Sequence, residues 1–451
     1  MVDTRFRLVN VLRLDLPAIQ SRFSSESKSQ FKVERTFSTA SRGDGWLSEC
    51  HSCIARDADL IAFGRQDELT LVRSGADGIR IETVNKPANA GDVITQLCII
   101  PILLGDQSYP CIAVGFRSGI LRIFNKEGNI ILSQMLHAEP ILRLKIKSNP
   151  SLPGEIGRQS EELIILYPNG VVASVDGLSL YTLIYNYVRG GNYGSSTMDY
   201  RKWELKGQDR VNDVITSSIP CDGPLSSLRS PSPTQRIIAA GSHPIVGFYI
   251  SSGEETRFST AVALASSVAS KLTSAVVSMA INWWSSSAPK EEVKQEERED
   301  FVIEKGISLP LKWSISDPPR EVTSLSTDPT GRLAVLTDTF NRVILLDCVH
   351  SILLRMWKGY REAQTAFIGC DIGGPSGMLF LAIYAPRRGL LEVWRLRSGE
   401  RVGAVEVGKG GKLLQTSTPV GSSTEKFVQP RAYFVGVDGR LQRLDVVASN
   451  V

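Results

Sequence analysis

The chain has 451 residues, 42% of them hydrophobic, which is enough to bury a sizeable core. Its 51 Lys and Arg nearly match 47 Asp and Glu, for a net charge of +4, so it has no general basic field with which to hold nucleic acid. Seven cysteines scattered over the chain, and the lack of any Asn-x-Ser/Thr sequon without Pro, predict a reduced cytoplasmic setting with no disulfides.

The N-terminus mixes Arg5, Arg7 and Arg13 with Asp3 and Asp15 among its apolar residues, which leaves no uninterrupted signal-peptide core and disfavours an acid-poor transit peptide. Residues 1–30 read as an N-terminal segment ending in a polar, Ser-rich linker from Ser21 to Gln30. Residues 31–451 read as one β-rich domain. Phe31-Lys-Val-Glu-Arg-Thr-Phe37 alternates with period two, as a half-buried edge strand does.

A repeated unit follows. Leu60-Ile-Ala-Phe-Gly64 precedes Leu69-Thr-Leu-Val-Arg73, Cys111-Ile-Ala-Val-Gly115 precedes Ile120-Leu-Arg-Ile-Phe124, and Leu163-Ile-Ile-Leu-Tyr167 precedes Val171-Val-Ala-Ser-Val175. The later units begin near residues 236, 331, 379 and 431, each an aliphatic run, a turn with Gly, Asp, Asn or Pro, and a second run. Four of the six intervals between starts are close to 50 residues, and the two longer ones each contain an insertion. A period of this length with short strands predicts an all-β, seven-bladed β-propeller, WD40-like but without a Trp-Asp dipeptide. Two successive β-sandwiches are the alternative, and they do not require a fixed period. In the propeller reading, Phe31–Phe37 completes the last blade and removes an exposed edge.

Two insertions are expected. At 176–210, Asp176 to Val188 has apolar residues at helical spacing and predicts a helix on the propeller rim. At 252–300, the stretch 259–284 places Leu264, Val268, Leu272, Val276, Met279 and Trp283 on one helical face, with Trp284 beside it and serines opposite. Lys271 and those serines make it a poor transmembrane span. An apolar face against a weakly charged polar face suits a membrane-interface helix, and equally one docked on the propeller or a partner. Residues 290–300 carry six acids against three bases and read as a solvated linker.

No catalytic constellation emerges, and no cofactor or metal is expected. Gly403-Ala-Val-Glu-Val-Gly-Lys-Gly410 approaches a phosphate-binding loop, but Gly410 stands where Ser or Thr must reach Mg²⁺ and the pattern there is strand. Cys50-His-Ser-Cys53 lacks the second pair that tetrahedral zinc needs, and buried small residues are the simpler reading. The turn Ala385-Pro-Arg-Arg-Gly389 offers Arg387 and Arg388 as a candidate contact for an acidic partner.

Several segments together carry a family resemblance: Arg342-Val-Ile-Leu-Leu-Asp347 with Arg355-Met-Trp-Lys-Gly-Tyr-Arg361, Ile383-Tyr-Ala-Pro-Arg-Arg-Gly389 with Leu391-Glu-Val-Trp394, Val114-Gly-Phe-Arg-Ser-Gly119, and Val268-Ala-Ser-Lys-Leu-Thr-Ser-Ala275. From about residue 46 to 414 the chain resembles the N-terminal domain of the non-catalytic subunit of the Rab-three GTPase-activating protein complex. The resemblance implies a regulatory subunit paired with a separate catalytic subunit. It also implies GTPase activation on Rab-three type GTPases and nucleotide exchange on the Rab-eighteen type at the endoplasmic reticulum, with roles in vesicle traffic and autophagy. In that family the partner is expected to supply the arginine finger, so Arg387 and Arg388 take no catalytic role. Members continue into a long helical region, whereas this chain stops at Val451. The alternative function is an independent propeller scaffold in membrane traffic, unrelated to Rab control.

Overall fold

The computed structural model describes residues 4–23, 45–84, 91–105, 107–147, 161–190, 197–218, 235–251, 303–370, 377–420 and 428–448. They form seven small sheets arranged in a ring, so the chain is a seven-bladed β-propeller. The first blade is His51–Ile54, Leu60–Arg65, Glu68–Gly75 and Gly78–Val84, with each strand antiparallel to the next. The first strand of each blade lies innermost. These strands touch in sequence around the circle, and Lys412–Gln415 of the seventh blade meets His51–Ile54 to close it.

The repeat starts found near residues 60, 111, 163, 236, 331, 379 and 431 coincide with the second strand of every blade. Those strands are covered on both faces, which makes them continuous aliphatic runs: Leu60 to Phe63 and Cys111 to Val114 are all at most 1% exposed. Buried apolar residues form one cluster per seam between neighbouring blades, seven clusters in all among the described residues. Fully burying one Leu, Ile or Phe contributes about 1.5–3 kcal/mol, so each seam is a substantial hydrophobic interface.

Ring closure differs from expectation. Phe31–Phe37 lies outside the described residues, and the outermost strand of the seventh blade is Thr4–Arg13. It runs antiparallel to Arg440–Ala448, from Thr4 opposite Ala448 to Arg13 opposite Arg440. Phe6 and Leu8 pack into the seam between blades six and seven, and Arg395 donates to the Thr4 hydroxyl at 2.8 Å. The chain then turns at Leu14, whose amide donates to the Gly439 carbonyl at 2.7 Å. Gly439 has φ +81°, and a Cβ there would sit 2.3 Å from the Leu14 oxygen, so this corner requires glycine. The short helix Leu16–Arg22 follows, capped by Asp15, and buries Leu16 and Ile19 beside Trp46 and Leu47.

The first insertion contains the expected helix, Gly177–Val188. Asp176 caps it by accepting from the amides of Leu178 (2.8 Å) and Ser179 (3.2 Å), and Leu180 and Ile184 are buried in the seam between blades two and three. The expected helix at 259–284 and the acidic run at 290–300 lie outside the described residues. On either side of that stretch the chain leaves the third strand of blade four at Ser251 and re-enters at Ile307–Pro310. That re-entry segment adds to blade three as a fifth strand, parallel to Arg201–Lys206. Only then does Trp313–Ile315 complete blade four.

Candidate functional site: a basic turn face and a polar central channel

Because strands alternate in direction within each blade, the connections divide between two faces. Links from first to second and from third to fourth strands emerge together, and the third strands that end at Asp176 and Ser251, where the two insertions begin, end on that face. The opposite face carries the turns between second and third strands and the passages from one blade to the next, and most of these are short.

On the short-turn face, blades five to seven bring separate basic residues together. Lys358, Arg361, Arg387, Arg388 and Lys409 are exposed, and Arg342 is half-buried. The backbone clamps the turns that carry them. The amides of Gly359 and Tyr360 both donate to the Asn341 carbonyl at 2.9 Å, Val407 donates to Gly389 at 2.8 Å, and the Tyr384 hydroxyl donates to Gly408 at 2.9 Å. Gly389 has φ +69°, and a Cβ would lie 2.8 Å from the Gly408 backbone, so the arginine turn sits directly on the next passage. Beneath it, Glu392 is buried and accepts from Tyr360 and, at 2.8 Å, from Arg401.

The two arginines of the turn differ. Arg387 is held by Glu362, with Nε donating at 3.1 Å, and that hydrogen bond lowers the Glu362 carboxyl below its usual range. Arg388 forms no ion pair among the described residues and projects beside Gly359. Phe340, 47% exposed, lies between Arg320 and Arg342, whose guanidinium carbons stand 5.9 and 6.0 Å from its ring centre. Arg320 is itself buried and ion-paired with Asp317 (2.8 Å) and Asp338 (3.2 Å), so the exposed positive charge of this face comes from Lys358, Arg361, Arg388 and Lys409, a set chemically suited to an acidic protein partner. Sequence reasoning found Arg387 and Arg388 but not Lys358, Arg361, Lys409 or Phe340, which come from different turns and meet only when the ring closes.

The seven other predicted contact residues, Leu264, Val268, Leu272, Val276, Met279, Trp283 and Trp284, lie outside the described residues. The first half of the near phosphate loop belongs to Arg401–Glu406, the outermost strand of blade six, while 407–410 is the passage to blade seven, and the next element is the strand Lys412–Gln415. Cys50 and Cys53 flank the start of the innermost strand of blade one. Burial pushes the Cys50 thiol up to about 11 and raises Cys53 well above the usual thiol value, which keeps both protonated. Burial, with Lys412 nearby, lowers His51 to about 4. No group of three or more His, Cys, Asp or Glu able to hold a metal occurs among the described residues.

The innermost strands enclose a channel of about 350 Å³. Each has one edge without a strand partner, and long polar side chains from neighbouring blades satisfy it. The Leu325 amide donates to Asp213 at 2.7 Å, the Leu413 amide to Gln364 at 2.7 Å and the Phe367 amide to Gln415 at 3.1 Å. Lys145 bridges Asp213 of blade four and the Leu325 carbonyl of blade five. A bulge between Val211 and Asp213 aims that carboxylate inward.

A closed ring of seven small sheets with a basic turn face defines a protein of the β-propeller class. The family model described as "Rab3 GTPase-activating protein regulatory subunit N-terminus" matches residues 46–414, and the chain belongs to this family. The match begins at the helix preceding blade one and ends within the first strand of blade seven. A curated relative from Caenorhabditis elegans, named Rab3 GTPase-activating protein regulatory subunit, is 33% identical over 94 residues. That alignment covers 21% of this chain and only 7% of the relative's length.

Proposed function

We propose that this chain is the non-catalytic platform of a Rab GTPase-regulating complex and pairs with a separate catalytic subunit. The observation that carries the reading is the family match, which spans six complete blades and reaches the seventh. On this reading the complex stimulates GTP hydrolysis by Rab-three type GTPases and nucleotide exchange on the Rab-eighteen type, in vesicle traffic and autophagy. The chain is then cytoplasmic and peripheral at the endoplasmic reticulum. The partner subunit supplies the transition-state arginine, and the propeller supplies binding surface. Co-purification of this chain with the catalytic subunit tests the pairing: an intact, folded propeller that captures no catalytic subunit sinks it and leaves the independent scaffold.

The basic turn face is the proposed partner contact. Arg387→Glu with Arg388→Glu is expected to weaken capture of the catalytic subunit at least tenfold while the thermal midpoint stays within a few degrees, because both side chains are exposed. Raising salt should weaken wild-type capture in parallel, since exposed charges are screened beyond about 8 Å at physiological ionic strength. Capture that ignores both the substitutions and salt places the contact elsewhere on the ring.

The 259–284 segment is the proposed membrane contact. Its serine-rich polar face and the neighbouring acidic run point to loosely packed neutral lipid, because an anionic leaflet repels the acids. Leu272→Glu is expected to abolish flotation with such liposomes and leave the melting curve unchanged. A wild-type chain that never floats assigns the segment to protein contacts instead.

A further inference from the structure

The short-turn face also holds a pocket of about 230 Å³ at the seam of blades four and five. One wall is the turn 243–245 between the second and third strands of blade four, and the other is the passage 316–320 into blade five. Both walls are pinned from behind. Gln208 donates to the Pro244 carbonyl at 2.8 Å, the Asp209 amide to the His243 carbonyl at 3.2 Å, and the Arg320 amide to the Asp317 carbonyl at 2.9 Å. Pro244, Ile245 and Pro318 make the lining apolar, while His243 and Ser316 are exposed at the mouth. At the buried end the Arg320 guanidinium sits between Asp317 (2.8 Å) and Asp338 (3.2 Å), so its charge is already matched.

We propose that this pocket anchors one tyrosine or tryptophan side chain carried on an acidic segment of the catalytic subunit, an inference that rests on the basic turn face being that subunit's contact. Size is the first argument: the pocket is smaller than the roughly 300–1,000 Å³ of small-molecule sites and suits a single large side chain. Charge is the second. An entering carboxylate would meet Asp317 and an entering cation would meet Arg320, and either would lose its water without a matched partner. A neutral ring escapes that cost, packs on the two prolines and Ile245, and turns its O–H or N–H tip to the Asp317 carboxylate, whose side chain is 49% exposed. The surroundings select the rest of the segment. Arg320 stands 5.9 Å from the centre of the Phe340 ring and Arg342 6.0 Å from it, and Arg342 lies opposite the exposed Lys358 in the blade-five ladder. Arg342 donates to the Met356 sulfur at 3.6 Å and not to a carboxylate, so acids next to the anchor fall over two available cations. Asp209 is exposed beside His243 on the blade-four side, which places the acids of the segment on the blade-five side of its anchor.

The test is fluorescence anisotropy of the full chain with labelled, end-capped peptides that carry one tyrosine beside three acids, placed before it in one peptide and after it in the other. Saturable binding of at least one peptide is expected, weakened at least tenfold when its tyrosine is replaced by alanine or its acids by lysines. Ser316→Trp, at an exposed position, fills the mouth and is expected to weaken peptide binding at least tenfold with the thermal midpoint within a few degrees of wild type. Arg117→Ala, on the same face but in blade two, is expected to leave binding unchanged. Should Ser316→Trp fail to fold, Asp317→Asn, which weakens the acceptor for the ring's tip, is expected to cost at least threefold. Capture of the catalytic subunit by Ser316→Trp is expected to fall in parallel. The proposal is overturned if neither peptide binds saturably, if the alanine peptide binds equally well, or if Ser316→Trp captures the catalytic subunit as wild type does, a result that leaves the pairing intact. A wild-type chain that binds the peptides and captures no catalytic subunit overturns the pairing instead, and with it the partner assigned to the pocket.

Discussion

Deleting Thr4–Arg13 is expected to loosen the ring closure and lower the thermal midpoint by about 5–8 °C, with new proteolytic cleavage in Arg440–Ala448. The strand pairs with nine residues of its neighbour and half-buries Phe6 and Leu8 against blades six and seven. Net hydrogen-bond contributions near 1 kcal/mol each, with about 1 kcal/mol for each half-buried side chain, put the loss on the order of 5 kcal/mol after the ordering entropy of the strand is subtracted. The deletion would also strip the outer edge of blade seven and leave Arg440–Ala448 paired only to Ala432–Val435, with an open edge that is a site for association between copies. Scanning calorimetry and light scattering read the two effects separately. An unchanged midpoint would mean that another segment, Phe31–Phe37 by its alternation, takes over the edge.

The parts of the ring that sequence revealed are those where one physical demand acts alone. Second strands such as Cys111–Val114 are covered on both faces, so aliphatic side chains are the only compatible ones, and their spacing gives the blade count. The helix Gly177–Val188 was legible because its cap and its apolar spacing agree. Innermost strands were hidden because they answer two demands. Arg143-Leu-Lys-Ile-Lys147 reads as a charged stretch, yet Arg143 and Lys145 reach past blade four to the Thr323 and Leu325 carbonyls of blade five. The closing strand was obscured by its bulge between Asn10 and Leu12, which breaks the alternation begun at Arg5-Phe6-Arg7-Leu8. Ile307–Pro310 carries no periodic signal, since its pairing depends on where the chain returns to the ring. Arg387 and Arg388 stood out as adjacent charges on a turn, whereas Lys358, Arg361 and Lys409 are single residues that only three-dimensional proximity turns into a patch.

Asp213→Ala is expected to destabilise the propeller by about 3–5 kcal/mol, because it leaves the Lys145 ammonium buried with no counter-ion. The carboxylate lies 2% exposed and serves three blades at once, accepting from Lys145, from the Leu325 amide at 2.7 Å and from the Val214 amide at 2.8 Å. Arg143, with Nε 3.8 Å from the same carboxylate, loses an ion-pair partner in the same variant. Asp213→Asn keeps an amide acceptor and loses the charge, so it should cost less than the alanine variant. Adding Lys145→Met to Asp213→Asn should recover at least 1 kcal/mol, which a double-mutant cycle by denaturant unfolding measures directly. The residual loss then reports the Leu325 and Val214 amides, each costing about 1–3 kcal/mol when left unpaired. A cost below 1 kcal/mol for Asp213→Ala would show that the channel admits enough water to solvate Lys145. A large cost with strong coupling shows the opposite: the channel interior is dry enough for an ammonium to require a partner.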